Sequence, residues 1–128
     1  MRAVVQRVSH ASVSVDNNVV GKIGEGLLVL LGIGGEDEQS DLDYMVDKIL
    51  GLRIFQDEKD KMNLSLLDTE GEILIVSQFT LYGDVRKGKR PSFTSSASPD
   101  KAERMYNDFI EKCKDKGIVT SSGVFGAD

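Results

Sequence analysis

Ile73-Leu74-Ile75-Val76-Ser77-Gln78-Phe79-Thr80-Leu81-Tyr82 decides the fold. Its first four residues are branched aliphatics with no polar alternation. That is the pattern of a strand buried on both faces, and its length suits a strand better than a helix. Polar groups then enter without a break in the apolar run. An extended chain sends side chains to alternate faces, so Leu74, Val76, Gln78 and Thr80 share one face and Ile75, Ser77 and Phe79 the other. An amide and a hydroxyl at i, i+2 then stand ~7 Å apart. Two readings stay open on spacing alone. Sheet proteins often place a site where a central strand turns polar at its carboxyl end. Equally, the strand simply leaves the core there and Ser77, Gln78 and Thr80 are only wetted.

The next residues favour a site. Gly83-Asp84 is a turn signal, and Arg86-Lys87-Gly88-Lys89-Arg90 puts four cations around one glycine. Lys and Arg total 16 against 21 Asp and Glu, a formal net charge of -5, so this cluster runs against the overall sign. A basic loop beside a polar strand end suits an anionic ligand such as a phosphate backbone. Taken alone, such a run is more commonly a solvated charged loop. Net acidity argues against indiscriminate nucleic-acid binding but leaves room for a local patch.

A length of 128 residues predicts one domain, residues 1–128, large enough to bury about two thirds of its unfolded surface. With 40% hydrophobic and 29% charged residues the composition is that of an ordinary soluble protein. Met1-Arg2 leads straight into a strand pattern, so nothing there resembles a signal peptide and none is expected, and the longest apolar run, residues 27–31, is far too short to span a bilayer. A single cysteine makes no internal disulfide, so a cytoplasmic setting is expected. Cys113 falls on an apolar helical face and reads as a core thiol. One His and one Cys leave too few ligands for a zinc site, and no metal or cofactor is expected.

Working outward, residues 2–15 read as one long strand with a kink or bulge near Ser9-His10. Arg7 shares a face with Ala3 and Val5. It either snorkels to water or is held inward near a site. His10 reads as a surface residue. Asp16-Asn17-Asn18 is a hairpin turn, residues 19–23 the return strand, Gly24-Glu25-Gly26 a second turn and residues 27–33 a second buried strand. Gly32-Ile33-Gly34-Gly35 invites a phosphate-loop reading, but it lacks GxxxxGK[ST] and the third glycine of GxGxxG, and Glu36-Asp37-Glu38 would repel a phosphate. Leu42, Met45, Val46, Ile49 and Leu50 recur at helical spacing, with Ser40 or Asp41 near the cap and Gly51 as the stop. Residues 52–55 read as a short strand and residues 57–63 as a charged turn. Leu64, Leu66 and Leu67 are expected to dock on the core. Ser98-Pro99 is a cap with proline at the first helical position, opening a helix through Ala102, Met105, Tyr106, Phe109, Ile110 and Cys113 that closes at Gly117. Ile118-Val119 starts a last strand. The plan needs both helix and sheet layers.

Several stretches together resemble the D-aminoacyl-tRNA deacylase family: Met1-Arg2-Ala3-Val4-Val5-Gln6-Arg7-Val8, Ser77-Gln78-Phe79-Thr80-Leu81 with Tyr82-Gly83-Asp84, Arg90-Pro91-Ser92-Phe93, and Gly123-Val124-Phe125-Gly126-Ala127-Asp128. Each is short, but their order and spacing make the match specific across the chain. The resemblance implies a three-layer α/β/β fold and a homodimer. It implies hydrolysis of the ester between a D-amino acid, or glycine, and the terminal ribose of tRNA, a proofreading step that keeps D-amino acids out of translation. Gln78, Phe79 and Thr80 then carry the chemistry. Main-chain donors near Phe79 and Thr80 face the oxyanion, and the Thr80 hydroxyl attacks or positions water. No His, Lys or carboxylate lies within the motif to serve as its base, which favours a Thr80 that is not a covalent nucleophile. The implied substrate contacts are Ser77, Leu81, Arg7, Phe125, Gly126 and Ala127. The expected tRNA contacts are Arg86, Lys87, Lys89 and Arg90, with no membrane or DNA partner.

The family continues past the Phe-Gly-Ala-Asp stretch and carries a Gly-Pro dipeptide with a cis bond that the partner subunit inserts into the site. Here the sequence ends at Asp128, and its prolines, Pro91 and Pro99, follow Arg90 and Ser98. The expectation is a truncated sequence, which would separate D from L esters poorly or fold poorly. Three rival readings stand beside this one: a non-catalytic RNA- or phosphate-binding homodimeric module, an edge-pairing dimerisation protein, and a related editing domain of altered chirality.

Overall fold

The computed structural model describes residues 1–127; Asp128, the end of the terminal stretch quoted above, lies outside the described residues. Strands β1 (Arg2–Val8), β4 (Gly26–Gly32), β7 (Glu72–Ser77) and β8 (Thr120–Ser122) form the main sheet in the order β1-β4-β7-β8. β1 runs antiparallel to β4, while β7 is parallel to both β4 and β8. The two apolar runs are therefore the two inner strands. Ile73, Leu74 and Ile75 are fully buried, as are Leu27, Val29 and Leu31.

One face of this sheet packs on α1 (Gln39–Gly51) and α3 (Pro99–Asp115). Leu42, Val46, Ile49 and Leu50 meet Met105, Tyr106, Phe109, Ile110 and Cys113 over Val29, Leu31, Ile73 and Ile75 in one cluster. A side chain of this size gains roughly 1.5–3 kcal/mol on full burial, so the helical stripes hold the layers together. Ser98 caps α3 by accepting from the Lys101 amide, and Pro99 occupies its first position. The other face carries the hairpin of β2 (Ala11–Val15) and β3 (Asn18–Ile23). Its turn places Asp16 and Asn17 at φ 50° and 67°, the left-handed pair that a tight hairpin requires. The hairpin is tied to β8 by the Ser121 hydroxyl, which donates to the Lys22 carbonyl. Helices, sheet and hairpin make three layers, α/β/β.

Several sequence expectations are corrected. The expected long strand over residues 2–15 breaks at Ser9-His10, and its halves join different sheets: β1 pairs with β4 and β2 with β3. The α1 cap is Glu38, whose amide donates to the Asp41 carboxylate, rather than Ser40 or Asp41 itself. Gly51 is the last helical residue and not a left-handed stop, since Leu52 caps the helix in an extended conformation. The strand expected over residues 52–55 reduces to β5 (Phe55–Gln56), which pairs with β6 (Met62–Leu64), so Met62 and Asn63 leave the expected charged turn. A one-turn helix, α2 (Leu66–Thr69), follows; it buries Leu66 but leaves Leu67 exposed. Ile118-Val119 precedes rather than starts the last strand.

The largest correction concerns the deciding stretch. β7 ends at Ser77, and Phe79–Tyr82 form a single 3-10 turn, η1, in place of a continuing strand. Gln78 is the hinge between them. Its amide still pairs with the Leu31 carbonyl at 2.8 Å, while its own carbonyl accepts from the Leu81 amide at 3.3 Å.

Candidate active site at the carboxyl end of β7

The 3-10 turn gives the strand end a chemical character that an extended chain lacks. The first amides of any helical turn have no acceptor within it. Among the described residues, neither the Phe79 nor the Thr80 N–H has a hydrogen-bond acceptor, whereas the flanking Gln78 and Leu81 amides are both paired. Phe79 and Thr80 are exposed, so the unused donors stand at the surface. The alternating-face geometry expected for Gln78 and Thr80 is lost with the strand, yet the turn brings the two together. The Gln78 side-chain amide donates directly to the Thr80 hydroxyl oxygen. That makes the hydroxyl an acceptor from Gln78 and leaves its own proton free to be donated elsewhere. Among the described residues no His, Lys or carboxylate hydrogen-bonds that hydroxyl.

The turn is held from three sides. The Arg2 guanidinium donates to the Leu81 carbonyl at 2.8 Å and lies 4.5 Å above the centre of the Tyr82 ring. Phe93 meets Phe79 edge-on, with ring centres 5.1 Å apart. Gly32 and Gly34 supply the third side and explain the glycine run that failed as a phosphate loop. A Cβ at Gly34 would sit 2.7 Å from the Tyr82 hydroxyl, and one at Gly32 would sit 3.1 Å from the Gln78 carbonyl oxygen. These glycines let the turn lie against the end of β4. The nearby acids do not face a ligand: Asp37 accepts from the Gly34 amide and pairs with the Met1 ammonium, both at 2.6 Å.

Beyond η1, Asp84 and Ser92 exchange two backbone hydrogen bonds at 2.8 Å and close the base of the cationic loop. Arg86, Lys87, Lys89 and Arg90 are all exposed. They are not equivalent, because Arg86 is held by Asp84 through its Nε at 3.0 Å and Nη2 at 2.7 Å. That guanidinium holds the Asp84 carboxyl down at about 2, from the model-peptide value of 3.8. Between turn and loop lies a hollow of about 360 Å³ lined by Arg2, Tyr82, Gly83, Asp84, Val85, Arg86 and Ser95.

The structure thus gathers Ser77, Gln78, Phe79, Thr80 and Leu81 at one strand end, with the basic loop next along the chain. Phe125 approaches the same end of the sheet: the Gly123 amide donates to the Ile75 carbonyl, and the Phe125 ring packs 5.9 Å from that of Tyr106. Gly126 and Ala127 are exposed and make no hydrogen bond to η1. Arg7 stands apart. It lies five residues, roughly 17 Å, along β1 from Arg2, opposite Leu27, and donates to the Ile54 carbonyl at 2.9 Å. Sequence reasoning missed Arg2, Phe93 and the two glycines. Only the Asp84/Arg86 pair, opposite charges two residues apart across a turn, carried a readable signal.

Among the described residues no cluster of three His, Cys, Asp or Glu side chains is arranged to hold a metal, and no helix is long and apolar enough to cross a membrane. Cys113 is buried in the core, and that burial pushes its thiol up to about 12. It is remote from any nucleophilic role.

Comparison with known proteins places the whole chain. The chain is 61% identical over 127 residues to a D-aminoacyl-tRNA deacylase of Clostridioides difficile, covering 99% of this chain and 85% of the relative. It is 59% identical over 128 residues to one of Clostridium kluyveri, covering 100% and 86%. Among solved structures, a protein described as c-Myc DNA Unwinding Element Binding Protein superposes with a TM-score of 0.93 at 46% identity, covering 100% of this chain and 87% of that one. A probable eukaryotic D-amino acid tRNA deacylase superposes at 0.83 with 21% identity over 98% of this chain and 89% of that one, a likeness of fold alone. The family model for D-Tyr-tRNA(Tyr) deacylase matches residues 4–128, and on that match and these identities the chain belongs to the D-aminoacyl-tRNA deacylase family.

Proposed function

We propose that the η1 turn is where this chain hydrolyses D-aminoacyl-tRNA. The activity is that of the family: cleavage of the ester between a D-amino acid and the tRNA, releasing both. An aminoacyl ester is already activated, so the site has little to supply beyond position and charge stabilisation. Water attacks the carbonyl, and the oxyanion that forms is met by the Phe79 and Thr80 amides. The Thr80 hydroxyl, oriented by Gln78, donates its proton toward the water or the ester. The neighbouring ribose 2′-hydroxyl passes its proton to the departing 3′ oxygen as the carbon–oxygen bond breaks and takes up the proton that the attacking water loses, so the ester leaves as free acid and free ribose hydroxyl with no net proton change at the site. Thr80 forms no covalent intermediate, because among the described residues no group that hydrogen-bonds its hydroxyl can take its proton. The exposed Lys87, Lys89 and Arg90 hold tRNA phosphates, and Ser77, Leu81 and Phe125 border the amino-acid side of the site. Glycyl-tRNA, with no side chain to clash, is hydrolysed as well.

A homodimer is the proposed assembly. The sheet face that the hairpin leaves open carries Leu28, Leu30 and Val76, all half-buried, and Val4 at 49% exposure. A second copy would cover this apolar strip. The single buried thiol suits a cytoplasmic setting.

The observation that carries the proposal is the pair of unused amides at the strand end. Single-turnover hydrolysis of D- and L-aminoacyl-tRNA of one amino acid by the purified protein tests it. Release from the D ester with no acyl-enzyme trapped on acid quench is expected, and an ester on Thr80 would refute the mechanism. The DNA-binding description of the protein with TM-score 0.93 favours one alternative, a nucleic-acid-binding module without chemistry. Salt-sensitive binding of tRNA and DNA alike, with no hydrolysis, would support it.

A further inference from the structure

The hollow beyond η1 has a construction that ester hydrolysis itself does not use. It starts at Gly83, the residue that closes η1 through its amide bond to the Thr80 carbonyl at 2.9 Å, so it lies at the C-terminal end of the turn whose N-terminal amides form the proposed ester site. Arg2 enters it from the start of β1 and Arg86 from the cationic loop, residues 84 apart in sequence that only the fold brings to one hollow. Each arginine has a partner. Arg2 is anchored by one Nη to the Leu81 carbonyl, with its guanidinium carbon 4.5 Å from the centre of the Tyr82 ring, and among the described residues its other N–H groups are uncommitted. Arg86 is gripped by the Asp84 carboxylate through Nε and Nη2. Asp84 is ionised above pH of about 2, so the three groups leave a net charge of +1 in the hollow. Two guanidinium groups lining one hollow, at the end of the turn that carries the proposed ester site, suit a tetrahedral oxyanion one nucleotide linkage further along the nucleic-acid chain.

We infer that this hollow seats the phosphodiester on the 5′ side of the terminal nucleoside of the aminoacylated tRNA, with Arg2 and Arg86 as its ligands and Asp84 as the positioning residue for Arg86. The inference rests on the functional reading above and deepens it. Lys87, Lys89 and Arg90 hold the tRNA body at a distance. The Arg2/Arg86 pair instead reads the last phosphate, and so fixes the ester carbonyl over the Phe79 and Thr80 amides.

The test uses two small substrates that lack the tRNA body, 3′-O-(D-aminoacyl)adenosine and the same compound bearing a 5′-phosphate. The wild-type chain is expected to hydrolyse the phosphorylated compound with kcat/KM about tenfold higher, the size of one charge-assisted contact. Arg2→Gln and Arg86→Ala should each shrink that ratio toward one. Because the readout is a ratio within one protein, a general loss of activity from disturbing η1 in Arg2→Gln leaves it intact. Among the described residues the Arg86 side chain bonds only Asp84, so Arg86→Ala supplies an independent check. Equal kcat/KM for the two compounds with the wild type would overturn the phosphate site while leaving deacylation standing. No hydrolysis of these compounds or of D-aminoacyl-tRNA would instead sink the functional reading.

Discussion

Single residues divide here into those whose chemistry follows from local sequence and those that acquire it only through the fold. Gln78 and Thr80 are legible as a polar pair, but the reason they meet is a turn and not a shared strand face. Periodicity could not show this, because Phe79 and Leu81 keep the apolar run going through the change of conformation. Arg2 carries no local signal at all; its partners, Leu81 and Tyr82, are some eighty residues away. Asp84 and Arg86 form the most direct residue-scale prediction. The folded-state carboxyl pKa is depressed to about 2, so the stabilisation from this pair is complete above the ordinary carboxylate value of 3.8 and is lost as pH falls through about 2. NMR titration should show Asp84 titrating near that low value. In Arg86→Ala it should rise toward the ordinary range without reaching it, since the amide of residue 86 still donates to the carboxylate at 3.0 Å, and an unmoved titration would mean that the guanidinium is not the cause.

At the scale of elements, unbroken apolar runs located β4 and β7 and helical periodicity located α1 and α3, because the strands are buried on both faces and each helix buries one stripe. The short pieces were misread where tertiary pairing overrides local pattern: the break at Ser9-His10, the β5/β6 pair and the single turn of α2. The glycines at the end of β4 show the same limit. Their meaning is the space occupied by η1, an element 45 residues later, which no spacing rule reports. Gly34→Ala is expected to push Tyr82 and the turn outward, since the new Cβ would stand 2.7 Å from the tyrosine hydroxyl. A loss of about 1–3 kcal/mol in stability, with deacylation falling at least about tenfold, would be read by denaturant unfolding and single-turnover rates. Unchanged rates would show that η1 tolerates displacement.

For the whole molecule, the layer order follows from which faces are apolar. Both faces of β4 and β7 are covered: helices on one, the hairpin and a partly open strip on the other. That open strip was invisible in the sequence, where Leu28, Leu30 and Val76 read simply as buried strand residues. If it is the seat of a second copy, Leu30→Asp should place a charge in the interface and convert a dimer to a monomer in sedimentation, with helix content retained. A wild-type chain that sediments as a monomer would remove the dimer.

The central claim concerns two backbone N–H groups, and it is tested by deleting one without touching a side chain. Replacing Thr80 by its α-hydroxy acid analogue converts that amide to an ester and removes the donor while keeping the hydroxyl that Gln78 holds. Among the described residues the Thr80 amide makes no backbone bond, so the fold should survive. The account predicts a fall in single-turnover rate on D-aminoacyl-tRNA of about 10²–10³, the worth of one oxyanion donor. A rate equal to that of the unmodified chain would contradict it.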